Sequence, residues 1–351
     1  MSDGKTDTGA GPLTGRRMET LLPWGAALLL CLAQWRHMLF YFSGTGVARW
    51  VDAANGVLIG LPHWRVYQSR LLGPALVKLV SFTGLSFFNA YFLVTIVLLT
   101  CCSVLAFETG RKLGGTRTGG WAAMLTLHAL FLLTQAPPWL YIWDFLILLT
   151  GFALLRLMIA GAPWWAYLIL MAIAFLNHES GFFIGVWMGV QGLADNLANH
   201  RLDWRRWRWG LMAAGGLGGI AGLEITEVIR SALLVREIGP EIFQDTSNTG
   251  AQIHLKLFQN LSLLGQWFTS FDYSFQVLVP LMLLACAGIA VALVVRHGYR
   301  AAGLAAYVLV QVVALVIAAE LRETRVLLQL VPFLCLGGRM LTQHIWPKEA
   351  A

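Results

Sequence analysis

The sequence is poor in charged residues, which fill 12% of its 351 positions, while hydrophobic residues fill 58%. Its mean hydropathy of +0.67 is far above that of a soluble domain, in which about 25% of residues are charged. This scarcity of charge excludes a water-soluble enzyme or binding domain and predicts an all-α integral membrane protein. Because a spanning helix takes roughly 20 apolar residues, the chain has room for about ten spans and little else.

The sequence also lacks the spacings of metal ligands and of paired extracellular cysteines. Its five cysteines lie inside apolar runs and are expected to be buried small hydrophobic residues: Cys31, Cys101, Cys102, Cys286 and Cys335. No cofactor is therefore expected. The first apolar run has no small-residue cleavage site after it, so we expect it to remain as a membrane anchor.

The net charge of +7 does not call for a nucleic-acid partner. Lys and Arg accumulate in the cytoplasmic loops of membrane proteins, and a modest positive excess is normal there. The partner expected from composition is the lipid bilayer, and no nucleic acid is expected.

Apolar runs of spanning length predict about ten transmembrane helices. They lie near 20–42, 86–106, 120–136, 139–160, 163–178, 180–197, 209–233, 274–295, 302–319 and 325–343. A single transmembrane domain, 20–343, is thus predicted between two short tails, 1–19 and 344–351.

The basic residues of the short loops set the predicted orientation. Both tails and every second loop are rich in Lys and Arg, which places them on the cytoplasmic side of a bacterial cytoplasmic (inner) membrane. Most acidic residues fall on the outer side. Residues 43–85 must then begin and end outside, and Val47–Leu61 and Trp64–Phe82 are predicted to be amphipathic helices lying in the membrane interface. The polar loop 234–273 is predicted to cover a site on the same side.

The first outer segment carries four candidate functional residues. Asp52 could accept a proton as a general base, or could be a solvated charge on a helix surface. Arg65 and Arg70 flank Tyr67, and their guanidinium groups suit bidentate phosphate binding, with contact to lipid headgroups as the alternative.

Three further candidates lie at later helix ends. Asp144 is a lone carboxylate about two turns inside an apolar helix, where it needs a basic partner or a polar cavity; a structural ion pair is the alternative. His178 and Glu179 form an imidazole–carboxylate pair at a hairpin tip, suited to acid–base chemistry or phosphate binding. In the alternative, Asn177 or Ser180 merely caps the next helix.

The last outer loop supplies Glu320, Arg322 and Arg325. The arginines could neutralise a diphosphate while Glu320 orients one of them, or the loop could face lipid headgroups. All these groups share one predicted membrane face, so we expect them to line one outer cavity. Aromatic residues at span ends are expected to be interfacial anchors: Trp139, Tyr141, Trp143, Trp164 and Trp165.

This layout resembles the bacterial polytopic glycosyltransferases of the GT-C type and related membrane proteins of surface-polysaccharide assembly. The resemblance rests on Asp52 in the first outer loop and on three short segments: Tyr67-Gln68-Ser69-Arg70-Leu71-Leu72-Gly73-Pro74, Leu176-Asn177-His178-Glu179-Ser180 and Glu320-Leu321-Arg322. The chain departs from that pattern in having neither an Asp-x-Asp pair in this loop nor a large soluble C-terminal domain.

The resemblance implies transfer of a sugar from a polyprenyl-phosphate or polyprenyl-diphosphate donor to a glycan, lipid or protein acceptor outside the membrane. It implies that Asp52 is the general base, that Arg70, Arg322 and Arg325 bind phosphate, and that His178, Glu179 or Asp144 orients sugar hydroxyls. A divalent metal bound at the donor phosphates is compatible with this resemblance.

Two other functions use the same residues. A transporter or flippase of a lipid-linked or anionic substrate predicts polar residues through the middle of the bundle. A non-catalytic subunit of a polysaccharide assembly complex would tolerate replacement of Asp52, Glu179 and Arg322.

Overall fold

A computed structural model describes residues 12–41, 46–134, 140–200, 209–236, 255–269 and 277–343, and within these ranges the protein is helical and has no strand. The α-helices are α1 (Pro12–Tyr41), α2 (Gly46–Leu58), α3 (Leu72–Ser81), α4 (Phe87–Gly114), α5 (Arg117–Leu133), α6 (Ile142–Ala160), α7 (Trp164–Phe175), α8 (Gly181–His200), α9 (Trp209–Leu233), α10 (Leu257–Thr269), α11 (Leu278–His297), α12 (Ala302–Ala318) and α13 (Val331–Thr342). Short 3-10 turns cover Arg65–Tyr67, Gly298–Ala301 and Thr324–Leu330.

Apolar helices indicate a multi-pass membrane protein. Five helical stretches among the described residues are long and apolar enough to span a bilayer: Phe87–Gly114, Ile142–Ala160, Trp209–Leu233, Leu278–Ala318 and Thr324–Thr342. Every apolar run found in the sequence coincides with a helix, but some helices, such as the 12-residue α7, are shorter than a full span. The larger number of spans therefore stays a prediction.

The first outer segment contains two helices, as expected, with different bounds. Helix α2 matches the first predicted helix, but the second is interrupted, because residues 64–71 form a 3-10 turn and loop before α3 begins. Helix α2 buries Trp50, Ala53 and Val57 in the main core. It is thus packed onto the bundle, and a position in the membrane interface stays a prediction.

Capping residues explain where several helices begin and end. The Ser86 hydroxyl accepts the Asn89 N–H at 3.2 Å at the start of α4, and the Thr116 hydroxyl accepts the Gly119 N–H at 3.3 Å at the start of α5. Helix α6 ends at Gly161, whose positive φ of 61° suits a glycine C-cap.

Contacts between helix ends give the bundle two distinct ends. At one end, the Thr324 hydroxyl donates to the Thr134 carbonyl at 2.9 Å, and the Leu72 N–H donates to the Leu176 carbonyl at 2.9 Å. We call this the site end. At the other, a His297 ring nitrogen lies 3.1 Å from the Met340 carbonyl, close to the basic loops that the sequence assigns to the cytoplasm. We call this the basic end.

Helices α8 and α9 approach closely through glycines. A Cβ atom on Gly215 would lie 2.6 Å from the Gly185 carbonyl oxygen and 2.6 Å from the Gly189 nitrogen, whereas one on Gly216 would meet nothing within 4 Å. Gly215 thus allows the close packing of α9 on α8.

One polar group lies inside the bundle between α1, α4 and α5. Ser103 Oγ lies 2.9 Å from His128 Nε2, and the Gln34 amide donates to the His128 carbonyl at 2.8 Å. All three residues are buried. The five cysteines are free; four are buried, as expected, and Cys101 is partly exposed.

Candidate functional site

Ionisable side chains from separate parts of the chain meet at the site end. They come from the loop before α3, the start of α6, the turn between α7 and α8, the last turns of α9 and the loop before α13. The charged members, which we call the charge cluster, are Arg65, Arg70, Asp144, Glu179, Glu227, Arg230, Glu323 and Arg325. Most of the predicted binding residues are therefore brought together.

Asp144 and Arg325 form a buried ion pair. Their side chains are 4% and 10% exposed, and Arg325 Nη1 lies 3.2 Å from Asp144 Oδ1. The other Asp144 oxygen accepts the Tyr141 N–H at 2.8 Å and so caps α6, while Arg325 Nη2 donates to Glu323 at 2.7 Å. This favours the structural ion pair over a substrate role for Asp144, and phosphate binding by Arg325 would require breaking two carboxylate contacts.

A wall of buried aromatic rings lies beside this pair. The Tyr141 and Trp143 rings stack with centroids 4.6 Å apart, and Tyr67 packs on Trp143 at 4.8 Å. The expectation that Tyr141 and Trp143 are interfacial anchors is wrong, because both are buried in the core; Trp164 and Trp165 are exposed, and Trp139 lies outside the described residues. Burial raises the pKa of Tyr67, which keeps its phenol protonated.

Arg70 lies against this wall with its charge poorly paired. Its side chain is 7% exposed, and its guanidinium carbon lies 4.7 Å from the centre of the Tyr67 ring and 5.4 Å from that of Trp143. The nearest carboxylate oxygen, on Glu179, is 3.9 Å away, which is too far for a hydrogen bond, and Nε has no partner. A buried guanidinium in this state is a ready donor to an anion.

The turn between α7 and α8 positions His178 and Glu179 beside Arg70. The Asn177 amide donates to the Trp143 carbonyl at 2.9 Å and anchors the turn, and His178 Nδ1 accepts the Ser180 N–H at 3.0 Å. The Asn177 side chain therefore does not cap α8, and no cap by the Ser180 hydroxyl is seen among the described residues. With Nδ1 occupied as an acceptor, neutral His178 carries its proton on Nε2, which lies 3.8 Å from Glu179.

The ionisation states of these two residues differ. Burial lowers the pKa of His178 to about 3, with the Arg70 charge acting in the same direction, so His178 is neutral at physiological pH. Burial alone would raise the pKa of Glu179, but His178, Arg70 and Arg230 outweigh it and hold the pKa below its usual value. The pair thus presents an N–H donor beside an ionised carboxylate.

Arg230 was not recognised in the sequence. It contacts the carboxylates of both Glu179 and Glu227, and its Nη2 lies 3.4 Å from the Ser69 hydroxyl. Glu227 also pairs with Arg65 at 3.0 Å, which accounts for the Arg65 charge. The available signal was the three-residue spacing of Glu227 and Arg230 near the end of an apolar helix.

Three candidates are not brought into the charge cluster. Asp52 is exposed on α2, where its charge acts on His63, and Arg322 is exposed beside the buried Leu321. Glu320 pairs with Lys256 at 2.6 Å, next to α10. No side-chain hydrogen bond or ion pair among the described residues joins these three to the charge cluster, and the expectation that all candidates line one cavity stays a prediction.

Three arginines of the charge cluster, Arg70, Arg230 and Arg325, each have a buried Nε without a partner, and so does the indole Nε1 of Trp143 in the aromatic wall. Other buried donors without partners, such as the indole nitrogens of Trp35 and Trp187, lie elsewhere among the described residues. Within the described part of the chain, no group of three His, Cys, Asp or Glu side chains could hold a metal ion. A donor-rich site of this kind fits an oxyanion such as a phosphate.

Comparison with protein-family models, with curated proteins and with solved structures finds no match to this chain.

Proposed function

We propose that the protein is a membrane glycosyltransferase that moves a sugar from a polyprenyl-phosphate or polyprenyl-diphosphate donor to an acceptor on the extracytoplasmic face. The observation that carries this proposal is the buried guanidinium of Arg70, whose Nε has no partner and whose nearest carboxylate is 3.9 Å away. A charge in that state at the end of an apolar bundle is suited to the phosphate of a lipid-linked donor.

In the proposed reaction an acceptor hydroxyl attacks the anomeric carbon of the donor. The new carbon–oxygen bond forms as the bond from the anomeric carbon to the phosphate oxygen breaks, and the polyprenyl phosphate or diphosphate leaves with the electron pair. Arg70 stabilises the negative charge that develops on the leaving phosphate. The hydroxyl proton passes to a carboxylate.

Glu179 is the carboxylate of the charge cluster that we assign to this base role, because it is the carboxylate nearest to Arg70 and it is ionised. His178 would donate its Nε2 proton to a sugar hydroxyl, since Nδ1 is already an acceptor. Asp52, the base that the resemblance implies, is exposed on α2 and stays a second candidate.

Purified protein in liposomes, supplied with a panel of polyprenyl-phosphate and polyprenyl-diphosphate hexoses and a mixed acceptor pool, tests the proposal. We expect R70A and E179Q to lower sugar transfer by about 100-fold or more. R322A is the matched control, because Arg322 is an exposed arginine of the same end and should leave transfer unchanged. Comparison of D52N with E179Q shows which of the two carboxylates, Asp52 or Glu179, is the base. Full transfer in R70A, E179Q and D52N alike would end the enzyme hypothesis.

One observation favours the transporter alternative. Gln34, Ser103 and His128 place polar atoms inside the bundle, and Gln34 Oε1 and His128 Nδ1 have no partner. A transporter would move the same lipid-linked substrate across liposomes without cleaving it, and S103A or H128A would slow that movement. Cleavage of the donor in the liposome assay favours the enzyme.

A further inference from the structure

Helix α9 carries an unpaired carboxylate in the middle of its exposed face. Its packed face consists of Gly215, Gly219, Gly222 and Thr226. At 100° per residue Glu224 points to the opposite side, together with Leu217 and Val228, which are 71% and 66% exposed. Glu224 is exposed and has no ion pair or hydrogen bond with any described residue.

Helix α1 shows the same arrangement with the opposite charge. Its buried face includes Ala27, Cys31, Gln34 and Met38. Arg36 points to the other side, in line with the exposed side chains of Leu29 and Phe40. Like Glu224, Arg36 has no ion pair or hydrogen bond in the part of the chain that the structure describes.

The two charges lie at a similar depth in the bundle. Trp35, next to Arg36, stacks on Phe145, which follows Asp144 of the charge cluster. Glu224 lies about one helical turn before Glu227 of the charge cluster, on the side toward the basic end. Along the axis of the bundle, Arg36 and Glu224 thus lie within about one helical turn of the same depth.

That level lies within the hydrocarbon of a bilayer. If Trp209 marks the membrane boundary at the basic end, the rise of 1.5 Å per residue puts Glu224 about 22 Å above it, inside a core of ~30 Å. An ionised carboxylate facing lipid at that depth costs several kcal/mol unless it is paired.

We propose that this protein self-associates, with α1 of one copy packed against α9 of another and with Arg36 paired to Glu224 across the interface. Two surfaces of the same chain offer opposite charges at the same depth, each set among exposed apolar side chains. For the α9 surface with Glu224, the loop after α9 is a poorer occupant than α1, because residues 237–254 contain three acidic residues and neither Lys nor Arg. The pairing removes two lipid-facing charges and does not depend on the proposed enzyme activity.

Disulfide trapping in native membranes tests the contact. Two differently tagged copies of the full chain, one with R36C and one with E224C, are expressed together and oxidised. We expect a disulfide-linked pair carrying both tags, at least about tenfold above the control, since the replaced side chains would face each other. The control pairs R36C with L284C, an exposed position on α11. Because four native cysteines are buried and Cys101 is only partly exposed, unsubstituted copies should give no such product.

Charge reversal distinguishes a specific pair from a general apolar contact. The number of copies per assembly, counted by single-molecule photobleaching in liposomes, should fall to one for R36E and for E224R. It should return to the unsubstituted number for the double variant R36E/E224R. Monomeric unsubstituted protein, or trapping no greater than the control, would overturn the proposal and would mean that Arg36 reaches the headgroups on its own.

Discussion

Asp144 and Arg325 stand 181 residues apart in the chain and form an ion pair of 3.2 Å in which both side chains are buried. This pair joins the start of α6 to the turn before α13, and the Tyr67 hydroxyl lies 3.4 Å from the same guanidinium. The pair supports the aromatic wall on which Arg70 rests. Its role is thus to build the candidate site, while Arg70 is left available to a ligand.

Removing one member of the Asp144–Arg325 pair should be costly. R325M leaves a buried carboxylate without its cation and should lower the unfolding free energy by about 3–5 kcal/mol. The double variant D144N/R325M should recover part of that loss, because it buries no unpaired charge. Thermal unfolding in detergent, followed by size-exclusion chromatography, measures both. Equal stability of R325M and the unsubstituted protein would contradict the burial of the pair.

The glycines of α9 offer a matched pair of substitutions. G215L places a side chain against the backbone of α8 and should lower the melting temperature strongly, because backbone atoms cannot move aside. G216L, one residue away and facing open space, should have little effect. The same unfolding measurement serves both, and a similar loss in the two variants would show that α8 and α9 do not meet as described.

Arg230 should contribute to the site, although the sequence alone did not single it out. It neutralises Glu179 and Glu227 together, so R230Q should leave Glu179 to pair with Arg70 and thereby compete with an anionic ligand. We expect sugar transfer to fall by about tenfold or more, mainly through a higher KM for the donor. E227Q should lower sugar transfer less, since Arg230 still pairs with Glu179 in that variant. An effect confined to kcat would argue against this competition.

His178 gives a pH dependence of stability. Burial lowers its pKa from 6.5 to about 3, so between these values the unfolded chain binds a proton that the folded chain does not. Stability should be insensitive to this group above about pH 7 and should fall as pH drops below 6.5. H178Q should weaken the fall just below pH 6.5, which lies above the range near 4.5 in which an unperturbed glutamate titrates. An unchanged slope in H178Q would show that His178 is not buried as a neutral group.

Much of the fold was accessible from the sequence, because lipid imposes a strong rule on apolar runs. Every predicted run is a helix, and the glycines, prolines and capping side chains set many of the ends. The prediction fails at residues 64–71, where the apolar pattern continues through a 3-10 turn and loop. That turn is set by tertiary bonds, such as the Gln68 amide donating to the Val57 carbonyl at 2.8 Å, which no local pattern reveals.

The site was accessible only in outline. Asp144, Arg70, His178 and Glu179 stood out because ionisable groups are rare and costly near a bilayer, and they do come together. Their partners could not be read off, because the pairing of Asp144 with Arg325 depends on how distant helix ends meet. Arg230 was missed since it resembles an ordinary basic residue at a helix end, and Tyr141 and Trp143 were misassigned because aromatic residues in cores and in interfaces have the same sequence neighbours.

Binding of a lipid phosphate to Arg70 tests the central claim most directly. The measurement is the affinity of purified protein in nanodiscs for polyprenyl phosphate, with the R70A and R322A variants in parallel and an uncharged polyprenol as the ligand control. The structure predicts saturable binding of the phosphate that R70A weakens by tenfold or more and R322A leaves intact, with no such difference for the alcohol. Equal affinity of R70A and the unsubstituted protein for polyprenyl phosphate would contradict the assignment of this cluster as an anion site.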